Sequence, residues 1–447
     1  MMRKLIACLP LWVFLLCAPV LAMAQKKDKN AVKMASSITA DDLKKHLYII
    51  AGKEMEGRDT PSPGLEKAAN YIEEHFKSLG LAPGNKGSYR QQYPLYKDSV
   101  LSASLKVNGN EWQLNNDFQP QANNYAAEMR FSEVVFAGYG ISDGANRDDY
   151  KDLKVAGKLV MIIDGVPDGY KAPQSQGFGS PASAFGKANA AISRGATALL
   201  IIYNNYPRKT AVTTSNWSMN GYKASQSPFT FTISPAVAAS IMGEASSGFF
   251  DKLKTLPAKT YTSNIDLTFS KAQQKTYVSN VMALLEGTDK KDEYVFVTAH
   301  YDHVGKRADG TIYYGADDDG SGTTGVLEMA EAFAKAKAAG KGPRRSIVFM
   351  TVSGEEKGLW GSEYYSNNPV YPLEKTTVDL NIDMIGRIGT EYLKDKDSMN
   401  YVYVIGDDKL STDLTPITDN INKTYAGNMK LDRKYNDPND PNRFYFR

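Results

Sequence analysis

Two kinds of hydrophobic pattern alternate along the chain. After Thr39, the apolar residues Leu43, Leu47 and Ile50 recur at helical spacing, which predicts a helix opened by a threonine cap. Leu65, Ala69, Ile72, Phe76 and Leu79 predict a second helix, with Gly80 as its stop. GKEMEGRDTPSPG between them reads as a loop from its glycine and proline content. Tyrosine-rich, extended sequence then runs to about Gln119. Beyond it come short, unbroken apolar runs: VVFAGYG (134–140), KLVMIID (158–164) and ALLIIY (198–203). These predict buried strands, with a helix over 182–193 between the last two, a βαβ-like unit. The polar stretch TTSNWSMNGYKASQS separates this unit from a short helix predicted over 235–242. From Tyr277 the pattern changes again. SNVMALLEG and KDEYVFVTAHYDH predict two neighbouring strands with a turn over 287–292. A helix follows over 323–337, burying Val326, Leu327, Ala330, Phe333 and Ala334, and the runs SIVFMTV and VDLNIDM predict further strands. Strand and helix alternate, so the expected fold class is α/β, a central mixed sheet with helices on both faces.

Length and composition refine this picture. A chain of 447 residues is too long for one small core, so two or more folding units are expected. A net charge of +3 is too small to favour a polyanionic partner, and nucleic acid is not indicated. Residues 1–24 have the form of a signal peptide: Arg3 and Lys4, an apolar core, and Ala22-Met23-Ala24 as a cleavage site before Gln25. Pro10, Pro19 and the small-residue exit argue against an uncleaved anchor. Both cysteines, Cys8 and Cys17, lie inside this segment, so the processed protein has no disulfide and is not a thiol enzyme. No other stretch is long and apolar enough to span a bilayer. The expected location is periplasmic or secreted, without membrane attachment after cleavage.

The ionisable residues cluster where three apolar runs end. VFVTA leads into His300 and Asp302, SIVFMTV into Glu355 and Glu356, and VDLNIDM contains Asp383. Ligands of α/β sheets bind at the carboxyl ends of strands. Histidine with several carboxylates and no cysteine is a donor mixture for zinc or a similar divalent ion. If His300 faces the site, strand alternation turns Asp302 the same way and His303 away, which makes His303 a surface or supporting residue. A carboxylate beside a metal-binding histidine orients its ring. In GADDDGSG, three consecutive aspartates repel one another unless a cation is near, so one is expected as a ligand and the others as helix caps or supports. Glu355 and Glu356 are adjacent and point apart, so one can bind metal while the other acts as a general base. Asp383 sits within an apolar strand pattern, where a buried carboxylate must be paired or coordinated.

The blocks AHYDHVG, GADDDGSG, SGEEKGLWGS and NIDMIGR, in this order, resemble the co-catalytic di-zinc aminopeptidase family, which includes relatives of glutamate carboxypeptidase, glutaminyl cyclase and transferrin receptor. The resemblance implies the zinc-peptidase phosphorylase/hydrolase-like fold and two zinc ions. His300 and Asp383 would hold one zinc, Asp318 would bridge, and Glu356 would help hold the other. Glu355 would be the general base and Asp302 the residue that orients His300. It also implies removal of N-terminal residues from peptides. The middle of the chain resembles the β-rich α/β protease-associated domain inserted in that family. The implied division is 1–24 signal peptide, 25–118 first part of the peptidase domain, 119–270 insert, and 271–447 catalytic domain.

One departure stands out. The family takes a last histidine ligand from a Ser-Asp-His block, and the terminal DPNDPNRFYFR resembles the sequence just before it. The histidines are His46, His75, His300 and His303. The expectation is therefore a full ligand set for one metal (His300, Asp318, Asp383), with Asp318 and Glu356 alone at the other. Competing readings on the same fold are a non-catalytic binding protein of the transferrin-receptor type, a carboxypeptidase, and a glutaminyl cyclase. Retention of the ligands and base opposes the first, and the inserted unit opposes the last.

Overall fold

The computed structural model describes residues 27–440 and 444, except 145, 172–179 and 222–227. The signal segment over 1–24 lies outside the described residues. The chain divides into two compact units, Met1–Gln91 with Ser279–Arg447, and Gln92–Val278. No helix among the described residues is long and apolar enough to cross a membrane.

In the first unit, strands Lys290–His300, Arg345–Val352 and Thr376–Asn381 run parallel, with Lys290–His300 between the other two. The last residues of strand Lys259–Leu285 pair antiparallel with Arg345–Val352, and the short strand Ala82–Pro83 pairs with them in turn. The two predicted neighbours, SNVMALLEG and KDEYVFVTAHYDH, are therefore not paired with each other, because the strand Arg345–Val352 lies between them. A tight turn alone would have made a hairpin. Instead the helix Gly320–Ala338 carries the chain from Lys290–His300 to its parallel neighbour, and parallel pairing needs such a crossover.

Side-chain alternation in Arg345–Val352 loads both faces of the sheet. Val348, Met350 and Val352 bury with Met282, Phe296 and Tyr365, the last from helix Trp360–Asn367. On the other face, the Phe349 ring lies 6.2 Å from that of Phe333 in helix Gly320–Ala338. Helices Ala40–Ile50 and Pro63–Ser78 pack on that same helix, burying Ile50, Leu65, Ala69, Ile72 and Phe76 as their spacing predicts. Thr39 and Ser62 cap them, accepting from the Asp42 and Leu65 amides.

The second unit is built on a largely parallel run of strands. Ala127–Phe136, Leu159–Ile163, Ala198–Ile202 and Phe229–Ile233 are parallel, flanked by antiparallel Phe118–Pro120 and the first part of Lys259–Leu285. Helix Ala184–Ile192 joins Leu159–Ile163 to Ala198–Ile202, and every residue of both strands is buried. Phe118, Phe136, Phe229, Phe231 and Phe269 fill one face, and Val135, Val160, Ile162, Leu199 and Ile201 the other.

The units divide at Gln92 and Val278 rather than at the expected 119 and 270. The extended sequence before Gln119 forms strand Arg90–Val107, whose Leu105 and Val107 bury in the phenylalanine-rich core. Lys271 pairs with Asp98 at 2.7 Å, which keeps the residues after 270 with the second unit.

Phe349 is fully buried between strand and helix. Phe349→Ala is expected to destabilise the first unit by about 3–5 kcal/mol, read as a lower denaturant midpoint for that unit's transition. An unchanged midpoint would show that this face does not support the unit.

Candidate metal centre

Strand register assembles the site. His300 ends its strand opposite Val352, and Thr298 lies opposite Asn381. The residues after these three parallel strands therefore emerge at one end of the sheet. Gly354, at φ +73°, turns the chain so that Glu355 and Glu356 follow directly. Asp383 comes two residues after the third strand ends. Asp319 caps helix Gly320–Ala338, placing Asp318 beside the same strand ends.

The ligand atoms of His300, Asp318 and Asp383 fall within 4.8 Å of one another, as do those of His303, Asp318 and Glu356. Asp318 belongs to both groups. His300 Nε2 is buried without a hydrogen bond. It lies 3.2 Å from Asp318 Oδ1, 3.8 Å from Asp383 Oδ1 and 3.9 Å from Glu355 Oε2. Burial disfavours charge on this imidazole, but the carboxylates of Asp302, Asp318 and Asp383 outweigh it and raise its pKa. Its partner His300 in turn lowers the pKa of Asp318. Glu355 is raised, by burial first. Six carboxylates crowd two imidazoles here, and a buried imidazole nitrogen without a partner faces three of them. That donor set fits a divalent cation, which would replace the proton on His300.

The structure corrects two expectations. His303 does not face away: its Nδ1 is 2.7 Å from Glu356 Oε1. Strand alternation does not reach it, because the strand stops at His300. Gly315 lets the ring in. A Cβ there would lie 2.5 Å from His303 Cγ and 2.6 Å from the Asp318 carbonyl oxygen. Asp383 is not buried in a strand either. Strand Thr376–Asn381 ends before it, is largely exposed and, among the described residues, pairs with Lys290–His300 alone, and the Asp383 side chain is 41% exposed. Its place near His300 therefore owes nothing to burial.

The supports are extensive. Asp302 is fully buried; its carboxylate accepts from Thr60 Oγ1 and from the Glu355 amide, both at 3.1 Å. The ring Nδ1 of His300 is 3.2 Å from the Asp302 carbonyl oxygen but 3.6 Å from its carboxylate, so ring contact runs through the backbone. Asp319 accepts from the amides of His300, Gly322 and Met384, tying together the first strand, the helix and the Asp383 loop. Burial raises its pKa well above the usual carboxylate range. Asp317 accepts from the Gly386 amide at 2.8 Å.

Arg58 escaped the sequence reading, which saw only a loop. It is fully buried and donates to the carbonyls of Ile50, Tyr301, Tyr314 and Gly315. Burial lowers its pKa to about 10, opposed by Asp302, Asp319, Asp318 and Glu356. A single arginine in a glycine- and proline-rich loop carries no spacing signal that would have marked it.

Residues 280–444 match the model of peptidase family M28. The match falls on the stretch that holds the four sequence blocks. The chain is 32% identical over 114 residues to a Leptosphaeria maculans protein named "Probable zinc metalloprotease", covering 24% of this chain and 25% of that protein. It is 31% identical over 120 residues to an Arabidopsis thaliana protein named "Probable glutamate carboxypeptidase", covering 27% of this chain and 16% of that one. The match thus spans a quarter or less of these curated relatives. Among solved structures, a zinc aminopeptidase from Bacillus subtilis aligns with a TM-score of 0.45 at 19% identity, over 88% of this chain and 79% of that one.

Arg58→Ala is expected to cost about 3–5 kcal/mol, because it leaves the buried carboxylates and four carbonyls without their cation. Arg58→Lys should recover only part of this, since an ammonium cannot serve four acceptors in a plane. Equal stability of Arg58→Ala and the parent in chemical denaturation would remove Arg58 from this role.

Proposed function

We propose that the protein is an exported zinc-dependent aminopeptidase, with two metal positions that share Asp318. The observation that carries this reading is the buried, unpartnered His300 Nε2 facing three carboxylates. His300, Asp318 and Asp383 would hold one ion. His303, Asp318 and Glu356 would hold the other, with His303 as its imidazole donor. Bound metal supplies Lewis-acid polarisation of the scissile carbonyl and favours ionisation of the attacking water. Aminopeptidase rather than endopeptidase action rests on the resemblance of the four blocks.

Glu355 is the proposed general base. Its amide is held by Asp302, its carboxylate stands 3.9 Å from His300 Nε2, and burial raises its pKa. A raised pKa suits a carboxylate that takes a proton from water and returns it to the leaving amine. Asp302 acts as a positioning residue for Glu355 and, through its carbonyl, for the His300 ring. The unit Gln92–Val278 is proposed as the protease-associated insert, and residues 1–24 as the cleaved signal that directs export to the periplasm or beyond. A non-catalytic binding role is disfavoured because base and ligands converge. The relative named a glutamate carboxypeptidase keeps carboxypeptidase action as the alternative specificity.

Glu355→Gln should retain zinc and fold while losing roughly 10²–10⁴-fold in turnover of an aminoacyl-nitroanilide. Near-normal turnover would remove Glu355 as base. Release of C-terminal residues from peptides without nitroanilide cleavage would instead favour the carboxypeptidase. His303→Ala should lower zinc content by one equivalent per chain in metal analysis, and unchanged content would remove His303 from the ligand set.

A further inference from the structure

A second cluster of donors lies away from the strand ends, where helices Ala40–Ile50, Pro63–Ser78 and Gly320–Ala338 meet. Each helix contributes. His46 comes from the first, His75 from the second, and Glu328 and Glu331, one turn apart on one face, from the third. The ligand atoms of His46, His75 and Glu331 lie within 4.8 Å of one another. The imidazole rings meet edge to face with centroids 4.6 Å apart.

The polar atoms are poorly satisfied by the protein. The Glu328 side chain is 2% exposed, and its Oε1 makes no hydrogen bond although it lies 3.2 Å from His46 Nε2. His46 Nδ1 is taken by the Tyr71 hydroxyl at 2.7 Å. His75 Nε2 lies 3.4 Å from the Leu327 carbonyl oxygen, to which only a protonated nitrogen can donate. That contact leaves Nδ1 of His75 with a free lone pair, as outer hydrogen bonds do for metal-binding histidines. Glu331 is also paired with Lys335 at 2.5 Å, and Asp42 and Lys45 stand nearby, paired with each other at 2.7 Å. Burial lowers His46 to about 4 and lowers His75, and it pushes Glu328 up to about 7 with help from Glu331. The two imidazoles are thus neutral at neutral pH, the form that binds metal. Two imidazoles and the Glu331 carboxylate converge, and the Glu328 carboxylate stands against His46 on the same helix face.

We propose that His46, His75, Glu328 and Glu331 form a separate divalent-metal site of the zinc type that staples the three helices together. Two nitrogen and two carboxylate donors complete a four-coordinate structural site with no position left for substrate. None of these residues belongs to the strand-end cluster, so the site stands whether or not the peptidase reading does.

The test uses the full chain carrying Asp318→Asn and Asp383→Asn, stripped with chelator and titrated calorimetrically with zinc chloride, with thermal melts alongside. The expected result is uptake of zinc and a zinc-dependent rise in melting temperature. Adding Glu331→Gln or His75→Gln should weaken that uptake by roughly 100-fold or more and abolish the rise, since even outer-shell losses cost 10–100-fold. The Glu331→Gln chain should melt like its parent without metal, which separates loss of a ligand from loss of fold. Absence of zinc uptake, or uptake that neither substitution changes, would overturn the site. A proton shared by His46 and Glu328 would then account for their contact.

Discussion

The first unit depends on gathering negative charge that its own cations do not balance. Asp302, Asp318, Asp319, Glu355, Glu356 and Asp383 converge at one end of three parallel strands, with His300 and His303 among them and Arg58 behind. Carboxylates at such spacing repel, and burying them costs more. The fold meets this with fixed donors: the amides of His300, Gly322, Met384 and Glu355, the Thr60 hydroxyl, and the Arg58 guanidinium spent on backbone carbonyls. What remains unmet is the lone pair and charge facing the centre. A site tuned to a divalent cation is destabilising by construction when the cation is lost.

The same logic orders the supporting shell. Asp319 serves three amides from three segments and so cannot be a free ligand, while Asp318 beside it has its carboxylate turned to both imidazole groups. One residue of the aspartate run faces the imidazoles, and its neighbours hold the loops that deliver the other donors. Glu355 and Glu356 divide in the same way, one toward His300 and one hydrogen-bonded to His303.

Chemistry of this kind needs a rigid platform, and the helix Gly320–Ala338 supplies much of it. Its start is capped by Asp319 within the strand-end cluster, its middle buries Val326, Leu327 and Ala330, its Glu331 meets His46 and His75, and its Glu328 meets His46. One helix therefore spans both groups of donors. Helices Ala40–Ile50 and Pro63–Ser78 pack on it through the apolar stripes visible in their spacing.

Local pattern determined a good deal. Helix stripes, caps, buried strands and the donor residues at strand ends were all legible in the sequence, because period, capping and burial act between residues close in the chain. Tertiary structure decided what depends on residues far apart. Strand order is one case: parallel pairing across a helical crossover placed Arg345–Val352 between two segments that read as a hairpin. His303 is another, since alternation predicts facing only while the strand lasts, and it ends at His300. The unit boundary moved because Leu105 and Val107 found their core among distant phenylalanines. Arg58 and the His46–His75–Glu331 group had no signature at all, for Tyr301, Tyr314 and Gly315 in the one case and Glu331 in the other come from segments more than 200 residues away in the chain. Proximity of that kind is a property of the packed chain, and no spacing along the sequence encodes it.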